Sequence, residues 1–218
     1  MASAPTHLVW DWNGTLLNDL NLVVSSTNVA FASVAGPTVT AAEHRVQFRR
    51  PVSAYYAEVL GRAVDTDEFG RLDMIFHDAY RNGLTTCELA DDATTAMQSW
   101  SGTQSLLSMW FHDELVPVVE AYGLAASFRR VDGLRAAVGG DRKAEHLARH
   151  LDALDVDGRS AVLIGDSLDD ADAAESVGAG CVLYAGGFTD PDRLRASGWP
   201  VADTLTGAVA LAAAQPRR

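Results

Sequence analysis

The sequence is almost without lysine. Among 218 residues there are sixteen arginines and a single lysine, Lys143. Lysine offers a compact point charge where arginine offers a planar fork, so a lone lysine in an arginine-using chain asks for a local reason. Positive charge is scarce altogether: 17 basic residues face 29 acidic ones, for a net charge of −12. With no basic stripe to overcome that field, a nucleic-acid partner is excluded. Cysteine is scarce too. Cys87 and Cys181 stand far apart in no metal-ligand spacing, which excludes a thiolate metal site and a disulfide framework and reads as two reduced thiols in a cytoplasmic protein. No apolar run approaches the roughly 20 residues of a membrane span. Residues 1–7 lack the basic and apolar regions of a signal peptide, so none is expected.

Apolar residues make up 48% and charged residues 21% of the chain, a globular composition sufficient for a buried core. Short apolar runs stopped by turn residues recur at 7–10, 105–107, 161–164 and 181–184, with a weaker one at 128–131. Such runs read as buried parallel strands. Helical spacing marks 112–122, 142–154 and 169–177, and an alanine-rich final helix is expected over 208–214. Strands alternating with helices predict an α/β fold, a Rossmann-like parallel sheet covered on both faces, with ligands beyond the C-terminal strand ends. Asp11, Ser108 and Asp166 each follow an apolar run and so fall at that edge.

One stretch breaks the alternation. From 20 to 83 only helical patterns occur, at 22–34, 41–48, 52–60 and 67–80, punctuated by Pro37, Pro51 and Gly61. The predicted organisation is a core formed by 1–19 and 84–218, with an inserted all-α cap over 20–83.

Two segments carry the chemistry. In Asp11-Trp12-Asn13-Gly14-Thr15-Leu16, a carboxylate sits on a tight turn after a buried strand, where it can act as a covalent nucleophile and free turn amides can cradle a phosphate. Trp12, Gly14 and Thr15 are therefore candidate substrate contacts. In Gly165-Asp166-Ser167-Leu168-Asp169-Asp170, acidic residues at a second strand end offer the hard oxygen ligands that suit Mg²⁺. A solvated helix N-terminus accounts equally for Asp172 and for Asp169. Lys143, after Gly139-Gly140 and before a helix, is placed to neutralise phosphate charge, and Ser108 can donate to a phosphate oxygen.

In order and spacing these segments resemble the four motifs of the haloacid-dehalogenase-like hydrolases, and the helical insertion resembles the cap of the phosphoglycolate-phosphatase-like subgroup. The resemblance covers most of the chain. It implies that Asp11 is the nucleophile, Ser108 the phosphate-binding hydroxyl and Lys143 the charge stabiliser, with Mg²⁺ held by Asp11, Asp166, Asp170 and the backbone carbonyl of Asn13. The implied reaction is hydrolysis of a small phosphorylated metabolite through an aspartyl phosphate.

Asn13 departs from the pattern. In phosphatases of this family an aspartate there protonates the leaving oxygen and then activates water, and an amide does neither; such a loss typically forfeits about 10²–10⁴ in rate. The readings left open are a substrate with a good leaving group, a substitute among Asp19, His77 and His112, a metal-independent dehalogenase-like reaction, or a binding module without turnover. A Schiff-base mechanism is excluded, because 20–83 contains no lysine. On the general pattern, Asn13→Asp is expected to raise ester hydrolysis. In the predicted cap, Arg49 and Arg50 are candidate substrate clamps, clustered with Arg45 ahead of Tyr55 and Tyr56. Trp110, Phe111 and His112 are candidates for the mouth of the site.

Overall fold

The first strand is buried on both faces, which is why its sequence shows no polar alternation. In β1 (His7–Trp10), Leu8 and Trp10 enter one hydrophobic core and Val9 the other. The computed structural model describes residues 5–135 and 142–215. Residues 1–4, the glycine pair Gly139-Gly140 and the tail from 216 lie outside the described residues.

After β1 come β2 (Leu17–Asn18) and four consecutive helices, α1 (Leu20–Ala32), α2 (Ala41–Gln47), α3 (Val52–Leu60) and α4 (Thr66–Gly83). The chain continues through β3 (Glu88–Leu89), α5 (Ala93–Ser99), β4 (Thr103–Phe111), α6 (His112–Ala121) and β5 (Val131–Leu134). It ends with α7 (Ala144–Leu154), β6 (Ala161–Gly165), α8 (Leu168–Ser176), β7 (Gly180–Tyr184), α9 (Pro191–Ala196), β8 (Val201–Ala202) and α10 (Leu205–Ala214).

Six strands form a parallel sheet in the order β5-β4-β1-β6-β7-β8, and β2 and β3 form a separate antiparallel pair. The predicted α/β class is therefore observed. The strand order reverses at β1, which pairs β4 on one side and β6 on the other with Trp10 opposite both Leu106 and Ile164. A ligand crevice belongs beyond the C-terminal ends of those three strands. Leu163, Cys181 and Leu183 pack against Leu147 and Leu151 of α7 and Ala171 and Ala174 of α8. The opposite face, with Trp10, Ile164 and Val182, shares a continuous core with Ala93 of α5, Val209 of α10 and Phe31, Tyr55 and Leu72 of the four-helix segment.

The second, third and fourth helices fall close to where periodicity predicts them, because their ends are chemically marked, whereas the first, expected at 22–34, spans Leu20–Ala32 without a side-chain cap. Thr40 and Glu43 close a reciprocal capping box on α2, Asp65 caps α4, and Gly61 ends α3 at φ 65°. Three further expectations shift. The strand expected at 105–107 runs on to Phe111, since Met109 and Trp110 are apolar and continue the ladder past a register break. The weak strand at 128–131 is displaced to β5, and the last helix begins three residues early, capped by Thr204. β2, β3 and β8 are two residues long, too short to show a period. Among the described residues, no helix is long and apolar enough to cross a membrane.

Beneath β4 lies a buried polar chain. His7 contacts the Thr103 and Ser105 hydroxyls, each at 2.8 Å, and the Ser105 hydroxyl also meets His150 Nε2 at 2.7 Å, while His150 Nδ1 faces Asp132 at 2.8 Å. Burial, then electrostatic interaction with His150 and Arg129, lowers His7 to about 4 from an ordinary value of 6.5. An imidazole harder to protonate when folded contributes stability above pH 6.5 and loses it as the pH falls through 6.5 towards 4. Wild type should therefore lose stability relative to His7→Gln over that window, by about 1–3 kcal/mol. Urea unfolding of both proteins at pH 8, 6 and 4.5 measures it, and a pH-independent difference would mean that His7 is not held neutral.

Candidate active site

The crevice at the ends of β4, β1 and β6 is built around the single lysine. The Lys143 ammonium donates to Asp11 Oδ1 and to Asp170 Oδ1. All three groups are buried, with Lys143 3%, Asp11 7% and Asp170 1% exposed. Each is fixed by local structure. Asp11 continues β1, its amide donating to the Ile164 carbonyl at 2.9 Å. Lys143 precedes the first turn of α7, and its own amide donates to Asp169 Oδ2 at 2.9 Å. Asp170 closes a capping box with Ser167 through Oδ2, leaving Oδ1 for the lysine. Thus Asp170 is both helix cap and site residue. Asp172, 62% exposed in its side chain, is the solvated helix charge that the sequence suggested.

Asp166 completes the cluster: Asp11, Asp166 and Asp170 offer carboxylate oxygens within 4.8 Å of one another. The Phe188 amide donates to Asp166 Oδ2. Two glycines allow this approach. A Cβ on Gly14, whose φ is +71°, would stand 2.5 Å from Asp166 Oδ2, and one on Gly187 would stand 2.2 Å from it. Three buried carboxylates share one ammonium, and the electrostatics follow. Burial first, and then the charges of Asp11 and Asp170, hold Asp166 well above the usual carboxylate range. Burial pushes Asp11 up to about 6 against the pull of Lys143. Burial would lower Lys143, but the two carboxylates override it and keep it charged. An excess of negative charge on hard oxygen donors is the donor chemistry that a divalent cation such as Mg²⁺ satisfies.

Asn13 lies at the centre of a second buried group. Its Nδ2 donates to Asp19 Oδ2 and to the Tyr80 hydroxyl, both at 2.9 Å, and its Oδ1 accepts from Ser108 Oγ at 3.1 Å. Tyr80 donates to Asp19 Oδ2 at 2.7 Å, and the Gly14 amide donates to Asp19 Oδ1 at 2.7 Å. Burial raises Asp19 to about 6, opposed by the bonds from Asn13 and Tyr80. Of the three substitutes considered for the missing aspartate, Asp19 is thus brought to Asn13. His77 lines a cavity beside it, whereas His112 contacts Gly133 and Arg135.

Other candidates separate in the same way. The Gly14 and Thr15 amides, expected to cradle phosphate, are engaged by Asp19 and by the Trp12 carbonyl, while the Thr15 hydroxyl lies 3.3 Å from Asp11 Oδ2. The Trp12 ring packs edge-on against Tyr122, centroids 5.9 Å apart. Arg50 reaches Asp169 at 3.8 Å and enters the cavity lining. Arg49 does not, because it pairs with Glu58 on the surface. Arg45 donates to the Gly186 carbonyl at 2.8 Å, tying α2 to the loop after β7. Of the residues expected at the mouth, Trp110 lines the cavity. Tyr80 and Phe188 were not singled out from sequence, since neither carries a local signal for contacts across 61 and 22 residues. Ser105, His150 and Asp132 have the order of a hydrolytic triad, yet Ser105 is wholly buried and its hydroxyl is shared with His7, so no substrate reaches it.

The open parallel sheet carries a carboxylate–lysine–carboxylate cluster at its switch point, and its fold is haloacid-dehalogenase-like. Residues 139–208 match the HAD-hydrolase-like family model. Over the whole chain the fold is that of a predicted phosphatase from Clostridium acetobutylicum, at TM-score 0.85 and 14% identity over 96% of this chain and 98% of that one. It is similar also to a haloacid dehalogenase-like family protein from Streptococcus pneumoniae (TM-score 0.81, 16% identity, 95% and 98% covered). A predicted phosphoglycolate phosphatase from Haemophilus somnus matches at TM-score 0.74 and 17% identity, with 96% and 98% covered. No curated protein matches the chain by sequence. The resemblance drawn from the motifs therefore holds, in fold along the chain and in sequence over 139–208.

The Asn13–Asp19 contact adds a stability cost to the Asn13→Asp variant. A carboxylate at 13 would face Asp19 at the 2.9 Å now spanned by an amide hydrogen bond, and two like charges there cannot both remain ionised. Asn13→Asp should lower stability at pH 8 by about 1–3 kcal/mol in urea unfolding. Adding Asp19→Asn should restore most of it by reversing the polarity of the bond. An unchanged single variant would show that Asp19 does not oppose a charge at 13.

Proposed function

We propose that the protein is a Mg²⁺-dependent hydrolase of a small phosphorylated metabolite, acting through an aspartyl phosphate on Asp11, and that α1–α4, residues 20–83, serve as its substrate-reading cap. The observation that carries this reading is the pairing of Lys143 with both Asp11 and Asp170 beside Asp166. A buried carboxylate kept ionised by a lysine at a sheet switch point suits attack on phosphorus.

In this reading an Asp11 oxygen attacks phosphorus, and the bond to the leaving oxygen breaks with its electron pair going to that oxygen. Water then attacks the phosphorus of the acyl phosphate, releasing orthophosphate and returning the carboxylate. The Lys143 ammonium balances charge on the phosphoryl oxygens, and Ser108 turns its hydroxyl from Asn13 towards one of them. The carboxylates of Asp11, Asp166 and Asp170 and the backbone carbonyl of Asn13 would hold Mg²⁺. When bound, the cation supplies Lewis-acid neutralisation of the phosphoryl group. Because Asn13 transfers no proton, the reaction favours leaving groups that depart as weak bases.

A binding module without turnover is the second reading, and Asn13 is the observation that favours it. The two separate cleanly in experiment. Wild type should release phosphate from acetyl phosphate and p-nitrophenyl phosphate with Mg²⁺, and EDTA should stop it. Asp11→Asn should reduce the rate by at least about 10³-fold. Undiminished turnover in that variant removes Asp11 as nucleophile. Activity retained in EDTA favours the dehalogenase-like reaction, and tight Mg²⁺-dependent capture of fluoroberyllate without any hydrolysis favours the binding module.

A further inference from the structure

Between the nucleophile turn and the four helices lies a cavity of about 90 Å³, bounded on the core side by Asn13 and Trp110. Its walls are largely aromatic, with Tyr55, Phe76 and Tyr80 from the helices and Phe188 from the core. Two imidazole nitrogens in these walls are buried with no hydrogen-bond partner, His44 Nε2 and His77 Nδ1. His44 is 1% exposed and is held by stacking on Phe48, with Nδ1 bound to the Tyr55 hydroxyl at 2.9 Å. An unsatisfied buried polar atom costs about 1–3 kcal/mol, so its persistence here points to a ligand group that completes it.

The charges in the walls define what that group is. Arg50 faces the Asp169 carboxylate at 3.8 Å, and Asp73 faces His77 Nε2 at 3.4 Å. Burial, with Arg45 nearby, lowers His44 to about 4, so near neutrality it offers a hydrogen bond and no charge. A leaving group bearing a carboxylate would enter an aromatic chamber beside Asp73, with the one arginine of the lining already facing an acid. Burying an anion on those terms is strongly unfavourable.

Resting on the phosphatase reading above, we infer that the cavity selects phosphate esters of uncharged, planar hydroxyl compounds, hydrogen-bonded by His44 and His77, and rejects carboxylate-bearing leaving groups such as that of phosphoglycolate. The ring faces supply contact area, and the two imidazoles supply orientation. An aryl or enol oxygen also leaves as a weak base, which matches the amide at Asn13.

The test compares KM for phenyl phosphate, benzyl phosphate and 2-phosphoglycolate with Mg²⁺. Benzyl phosphate separates recognition of a ring from ease of departure, since its leaving oxygen is an ordinary alkoxide. Both ring esters should show KM at least about tenfold below that of phosphoglycolate. His44→Phe, which keeps the stacking, should raise KM for ring esters about 3- to 10-fold with kcat little changed. Asp73→Asn should lower the ratio of KM for phosphoglycolate to KM for benzyl phosphate. Equal or lower wild-type KM for phosphoglycolate overturns the inference and assigns the leaving group to the arginine-bearing groove at Arg50 and Arg193 instead. Should no ester be hydrolysed, the phosphatase reading fails on its own. The cavity is then tested by titrating benzyl alcohol and glycolate against the Trp110 indole resonance. A shift with benzyl alcohol alone supports the selectivity, and no shift, or a shift with glycolate, overturns it.

Discussion

Lys143 is bonded to two carboxylates that arrive from different parts of the chain, Asp11 at the end of β1 and Asp170 in the first turn of α8. Neither acid would tolerate its burial alone. A buried charge is retained only with a partner of opposite sign and good geometry, and losing that partner costs several kcal/mol. The ammonium therefore joins the first motif to the last, and both to α7. An arginine, with its planar fork, fits two single oxygens at one point less well than a compact ammonium with three donors. That geometry gives the one lysine its reason.

The pairing leaves the site overcharged, because Asp166 adds a third carboxylate with no cation of its own. It is held in place by the Phe188 amide and by the close passage of Gly14 and Gly187. Geometry that forces like charges together without full compensation is what functional sites show and structural ion pairs avoid. The haloacid-dehalogenase-like fold explains where the cluster lies. The charge imbalance is an independent reason, taken from this chain's own residues, to read it as a place where a cation and an anionic substrate meet.

Local signals carried most of the architecture. Short apolar runs ending in Asp11 and Asp166 marked two of the three central strands, and Pro51, Gly61 and the capping residues bounded the four helices. What was illegible has physical causes. Two-residue strands have no period. The extension of β4 past Ser108 depends on pairing with β5 across a register break as well as on the apolar Met109 and Trp110. At the site, residue types within motifs were legible, but side-chain direction was not. Arg49 and Arg50 are neighbours in sequence, yet one pairs with Glu58 at the surface and the other faces Asp169. The Trp12 ring points towards Tyr122, and the Gly14 amide expected for phosphate is taken by a carboxylate five residues on. Tyr80 joins the nucleophile turn only because α4 folds back along α1.

The amide at Asn13 looks like a loss when the motif is read alone, but its surroundings give it a different meaning. A carboxylate, Asp19, is buried beside it, and Asn13 satisfies it together with Tyr80 and the Gly14 amide. Asn13 presents its carbonyl to Ser108 and its amino group to Asp19, so the pair fixes the turn that holds Asp11. Position 13 is a structural donor, and under the proposed reaction a substrate brings its own readiness to leave. The neighbouring cavity, aromatic and lined by neutral His44, is matched to that demand, because conjugated ring and enol hydroxyls are both flat and weakly basic. The amide in the motif and the rings in the helices therefore constrain the substrate from opposite ends of the same bond.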